Sequence, residues 1–144
     1  MGRKVNILLA EDNPADKMLF EIGINKSSLD AQIFWVTDGV QVMDFLHNAG
    51  DFADSPKPDI VILDLNMPRK DGREVVKEIK RNKLTEKIIT IVFTTSDADA
   101  DRQVCLKAGA DRFIIKPLEF DGITKIVKEI ESIWLSSQAD AGNV

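Results

Sequence analysis

The sequence predicts an α/β fold, a five-stranded parallel sheet with helices on both faces, and three observations carry that prediction. Short apolar runs alternate with segments of helical period about five times along the 144 residues. Three of the runs are apolar almost throughout, as strands covered by helices on both faces must be. Each of the chemically informative runs ends in polar, reactive residues, and the carboxyl ends of strands are where open parallel sheets bind ligands.

The runs are Val5–Ala10, 32–36, 59–63, 88–93 and Arg112–Ile115. The second is mixed in character and belongs near a sheet edge. Asn13-Pro14 reads as an N-cap followed by proline at the first helical position, and Met18, Leu19 and Ile22 give that helix an inward face. Val40, Met43, Phe45 and Leu46 support a second helix, ended around residues 48–50 and followed by a loop to Pro58. A third turns Val75, Val76 and Ile79 inward while Glu74, Lys77, Glu78 and Lys80 stay in water. The fourth, 98–108, has the weakest inward stripe, mainly Ala100, Val104 and Ala108. The fifth is the clearest, with Ile123, Ile126, Val127, Ile130, Ile133 and Trp134 at helical period. One domain over residues 1–135 and a flexible tail over 136–144 are expected.

Hydrophobic residues make up 44% of the chain, ample for one buried core, and no repeat or linker marks a second domain. The formal net charge of −5 would repel a nucleic-acid backbone, so direct nucleic-acid binding is not expected. One Cys and one His can form neither a zinc-finger cluster nor an internal disulfide, which fits a reducing cytoplasm. Cys105 reads as half-buried packing and His47 as a solvated residue near a helix end. The first apolar run is broken by Asn6 and ended by Glu11 and Asp12, too short and too acidic for a signal peptide. No stretch approaches the roughly 20 apolar residues of a membrane span. A cytoplasmic protein without membrane contact is the expectation.

Glu11 and Asp12 follow the first run, Asp64 with Asn66-Met67-Pro68 the third, Thr94-Thr95-Ser96 the fourth, and Lys116-Pro117 the fifth. A lone acid after a strand is most often a cap or a solvated loop residue, and Thr95, Ser96 or Asp97 alone reads as a cap of the fourth helix. Capping does not require two carboxylates at one strand end, a third at another and a lysine before proline at a fourth. Three carboxylates brought together repel unless a cation intervenes. With no His or Cys on offer, the donors suit a hard divalent ion, Mg²⁺ above all. Such a site suits phosphoryl transfer, with Asp64 as the nucleophile that becomes an aspartyl phosphate.

These residues resemble bacterial response-regulator receiver domains, and the likeness runs through the chain to Leu135. It rests on ILLAEDN, DIVILDLNMP with DG at Asp71-Gly72, FTTSDA and AGADRFIIKPL. The motifs are specific in this order and spacing, though each alone is weak. The resemblance implies a flavodoxin-like (βα)5 fold with strand order 2-1-3-4-5. It implies that Asp12, Asp64 and the backbone carbonyl of Asn66 bind Mg²⁺ (or Mn²⁺), with Glu11 assisting through water. It further implies that Lys116 pairs with the phosphoryl group, that Pro117 follows a cis peptide bond, and that Thr94 and Phe113 form a switch pair. Glu11 stands where many members have Asp, and Phe113 where others have Tyr or Phe. The segments RKDGREVVKEIKRN and IVKEIESIWLSS, with the loop before Pro58, look like single-domain regulators that serve phytochrome-type histidine kinases.

The function expected is that of a stand-alone phosphoacceptor switch rather than an enzyme acting on an external substrate. Its partners would be a histidine kinase, phytochrome-type by resemblance, and a second copy docked through the fourth helix, fifth strand and fifth helix. Two rivals compete. A flavodoxin-like electron carrier would need a Ser/Thr/Gly-rich phosphate loop where Glu11-Asp12 would repel the cofactor. A phosphatase of the haloacid dehalogenase type would want a second acid where Asn66 stands.

Overall fold

The structure, a computed structural model, describes residues 4–119 and 121–142. Its strands are β1 (Val5–Ala10), β2 (Ala31–Val36), β3 (Ile60–Leu63), β4 (Ile89–Thr94) and β5 (Arg112–Ile115). They pair in parallel in the order β2-β1-β3-β4-β5, the order expected, with the mixed strand β2 at one edge. The helices are α1 (Pro14–Lys26), α2 (Gly39–Leu46), α3 (Gly72–Arg81), α4 (Asp99–Ala108) and α5 (Asp121–Gly142). A single 3-10 turn, Gly50–Phe52, interrupts the loop after α2.

Strand alternation divides the core in two. Ile7, Leu9, Ile62, Ile91, Phe93 and Ile114 face α1 and α5, while Leu8, Ala10, Val61, Leu63, Val92 and Phe113 face α2, α3 and α4. The register, with Ala10 level with Leu63 and Thr94 level with Ile115, brings the carboxyl ends of β1, β3, β4 and β5 together at one rim.

Several expectations are corrected. The inward face of α1 is Phe20, Gly23 and Ile24, whereas Met18 and Leu19 are exposed. The phase is set by the approach of α5: a Cβ on Gly23 would lie 3.0 Å from Val127. In α4 only Cys105 is buried, and completely so; Ala100 and Val104 face out. Apart from these corrections, α5 runs on through residues 136–142, where Gln138, Ala139 and Ala141 favour helix and no breaker precedes Gly142. The last two residues of the expected tail, and the first three of the expected domain, lie outside the described residues.

Candidate functional site

The rim gathers the residues read from the sequence. Glu11 follows β1 and is buried, with its backbone carbonyl accepting from the Trp35 indole N–H at 2.7 Å and its carboxylate accepting from the Asn13 N–H at 3.2 Å. Asp12 is exposed. Asp64 is buried, its Oδ1 accepting from the Asn66 N–H at 3.1 Å. Carboxylate oxygens of Glu11, Asp12 and Asp64 all lie within 4.8 Å of one another. This all-oxygen donor set fits a hard divalent cation.

The loop beyond Asp64 depends on a missing side chain: a Cβ on Gly72 would come within 2.7 Å of Leu65 Cα and 2.8 Å of the Asp64 carbonyl oxygen. The Asp71 carboxylate caps the start of α3 by accepting from the Arg73 N–H at 2.7 Å. Lys116 reaches the cluster from the end of β5, its Nζ 2.8 Å from Asp64 Oδ2, 2.5 Å from Glu11 Oε1 and 2.9 Å from Asp16 Oδ2. Among the described residues no peptide bond is cis, so the bond before Pro117 is trans, against expectation. Trans is the intrinsically favoured isomer, by about 0.5–1 kcal/mol for a bond to proline. Pro117 here packs against Gly122, where a Cβ would come within 2.4 Å of the ring.

Thr94 is fully buried at the end of β4, its Oγ1 accepting from the Ser96 N–H at 3.3 Å and its carbonyl accepting from the Lys116 N–H at 2.7 Å. Phe113 is buried level with Val92, on the same sheet face as Thr94, with the Arg102 guanidinium 5.9 Å from its ring centre. Residues 7–128 match the family described as "Response regulator receiver domain".

The chain belongs to this family. It is 37% identical to the response regulator Rcp1 of Synechocystis sp. over 131 residues, which span 91% of this chain and 89% of that protein. The crystal structure of the phosphorylated cyanobacterial phytochrome response regulator RcpA matches with a TM-score of 0.87 and 35% identity, covering 94% of this chain and 96% of that one. The Mn²⁺-bound form of Rcp1 matches with a TM-score of 0.85 and 37% identity, covering 91% and 94%. The fold and two-component class read from the sequence are those of these relatives.

In this receiver, burial pushes the Glu11 carboxyl up to about 7, with the neighbouring Asp64 charge adding to the rise; Lys116 and the Asn13 N–H pull the other way without cancelling it. For Lys116, burial alone would lower the ammonium, but hydrogen bonds to Asp64, Glu11 and Asp16 outweigh it and hold the group charged. A divalent cation among the three carboxylates would favour the charged form of Glu11.

Three features of the receiver were not read from the sequence. Asp16 sits in the first turn of α1, where an acid reads as a complement to the helix dipole, and nothing local pairs it with Lys116. Trp35 reads as a mixed-strand residue, not as the donor that holds Glu11. The start of α4 is not capped by Thr95, Ser96 or Asp97; its N-cap is Ala98, with no side-chain bond. Ser96 instead donates to Asp101 at 2.6 Å, and Arg73 of α3 donates to the same carboxylate at 2.7 Å. His47 closes α2 and is exposed, as expected.

Proposed function

We propose that this receiver accepts a phosphoryl group onto Asp64 from the phosphohistidine of a histidine kinase, in a Mg²⁺-dependent reaction. The observation that carries the reading is the Lys116 ammonium 2.8 Å from Asp64 Oδ2, beside three clustered carboxylates that could hold the ion. A carboxylate oxygen of Asp64 forms the new bond to phosphorus as the bond to the imidazole nitrogen breaks; the other ring nitrogen of the phosphohistidine carries a proton, so the electron pair left by the broken bond yields a neutral imidazole. Mg²⁺, held by Asp12, Asp64 and the Asn66 carbonyl with Glu11 through water, would neutralise charge on the transferring group. Asn66 N–H orients the acceptor, Lys116 pairs with the incoming oxygens, and Thr94, once drawn toward Asp64, donates its hydroxyl to them. The chain's chemistry is then limited to its own phosphorylation and dephosphorylation, and it is a switch rather than an enzyme with an external substrate.

A phosphoryl group of about −2 charge in place of the single carboxylate charge draws Thr94 and the start of α4 toward Asp64, and Phe113 moves into the space released. The face made by α4, β5 and α5 would then change shape. Leu106, Ile115 and Leu135, on the three elements of this face, are exposed, which supports a second copy of the chain as the partner. Likeness to RcpA and Rcp1 supports a phytochrome-type kinase. The acidic chain is not proposed to bind nucleic acid, and among the described residues no helix is long and apolar enough to cross a membrane. A cytoplasmic setting fits a kinase-fed switch.

The test is labelling by acetyl phosphate or by a phosphorylated kinase. Wild-type protein should label with Mg²⁺ and not with EDTA, and Asp64→Asn should not label at all. Undiminished labelling of that variant contradicts the reading. Sedimentation equilibrium with and without beryllofluoride, repeated with Leu135→Ala, checks association: a monomer in every state removes the second copy as partner.

A further inference from the structure

The Lys116 ammonium has three N–H donors, and each meets a different carboxylate: Glu11, Asp64 and Asp16. Two of these belong with Asp12 to the cluster suited to a divalent ion. Asp16 does not. It is also the most exposed of the three, its side chain 31% accessible against 3% for Glu11 and 8% for Asp64. We propose that Asp16 is a positioning residue that shares the Lys116 ammonium with Asp64, loosening the lysine's hold on the acceptor carboxylate while keeping it beside the phosphoryl position. The inference rests on Asp64 being the phosphoacceptor.

An ammonium paired only with Glu11 and Asp64 competes with a divalent cation for the same oxygens. A third carboxylate takes part of that charge and weakens the competition. The site has room for this sharing. A cavity of about 100 Å³ between α1 and the segment after β5 is lined by Asp16, Phe93, Lys116, Pro117 and Leu118. The Phe93 ring, centred 5.8 Å from Nζ, bounds the ammonium on one side. Asp16 itself is held on α1, its N–H donating to the Asn13 cap at 3.3 Å. Once Asp64 carries a phosphoryl group of about −2 charge, that group outbids Asp16 for the lysine.

The test is calorimetry of Mg²⁺ binding to the wild type, Asp16→Asn, Asp16→Glu, Lys116→Met and the double variant Asp16→Asn/Lys116→Met. Acetyl phosphate labelling at low and saturating Mg²⁺ is measured beside it on the variants that keep Lys116. Asp16→Asn should weaken Mg²⁺ about three- to tenfold, the range of a partly buried ion pair. Its labelling should fall at low Mg²⁺ and return to the wild-type rate at saturation, and Asp16→Glu should restore most of the affinity. In the Lys116→Met background, Asp16→Asn should change affinity by less than about twofold, because its effect runs through the lysine. An equal loss in both backgrounds would reduce Asp16 to one more negative charge and overturn the inference, as would an unchanged affinity in the single variant. A wild type that binds no divalent ion would overturn the phosphoacceptor reading and this inference with it, whereas a wild type that binds beside a flat Asp16 series overturns this inference alone.

Discussion

Helices α3 and α4 are each ten residues long and cover the same sheet face, yet they are held by different forces. Val75, Val76 and Ile79 of α3 are fully buried, and Gly72 lets its first turn lie against the Asp64 loop. From α4 only Cys105 is fully buried, with the small Ala108 packed partly against the core. What ties α4 down is polar: Arg73 of α3 to Asp101, and Ser96, two residues beyond Thr94, to the same carboxylate. Apolar burial has no substitute inside the domain, so α3 is a fixed support. A hydrogen-bonded ion pair can be exchanged for another polar contact at small net cost. A phosphoryl group pulling on Thr94 would therefore move α4 rather than α3.

The contrast can be broken by mutation. Ile79→Ala should lower the unfolding free energy by about 3 kcal/mol, through lost transfer energy and the cavity left behind. Cys105→Ala, in the same assay, should cost only about 1 kcal/mol, because a smaller group is removed. Urea unfolding of the two variants measures both, and equal losses would abolish the distinction between the helices.

Arg73→Ala should cost less than about 1 kcal/mol of global stability, as a partly exposed ion pair contributes little. Its larger effect is local: amide exchange should quicken in α4 and the Ser96 turn, and remain slow in α3. Tighter beryllofluoride binding by the same variant would follow if the Arg73–Asp101 pair restrains the switch. A uniform rise in exchange across both helices would contradict it.

The smallest effect is one of pH. Hydrogen bonds from Arg73 and then Ser96 hold the Asp101 carboxyl down at about 2, against an ordinary 3.8. A depressed acid contributes its stability fully above its ordinary value and loses it as pH falls through the folded one, so α4 should loosen between those two values. Asp101→Asn should remove that acid step from α4 exchange profiles and leave α3 unchanged.

How much was legible follows from the same contrast. Strands buried on both faces must be apolar throughout, so β1, β3 and β4 could be read to within a residue, and the parallel topology then placed Glu11, Asp12, Asp64, Thr94 and Lys116 at one rim. The faces of α3 and α5 were legible because apolar periodicity is what holds them. Of the weak stripe expected on α4, Ala108 packs against the core while Ala100 and Val104 face out, and the helix is held by Cys105 and by the bonds to Asp101. On α1, Met18 and Leu19 read as inward from the sequence because composition cannot show that α5 closes on Gly23. The pairing of Asp16 with Lys116 spans 100 residues and leaves no local trace. The trans bond before Pro117 and the continuation of α5 past Leu135 likewise depend on packing and propensity that the motif does not carry.

The most direct test of the account is to find the atom that takes the phosphoryl group. Protein incubated with acetyl phosphate and Mg²⁺, then treated with borohydride, which reduces an aspartyl phosphate to homoserine, can be mapped by peptide mass spectrometry. Conversion at Asp64 alone, abolished by EDTA, is the predicted result. Conversion at Asp12 or elsewhere, or none with Mg²⁺ present, would contradict it.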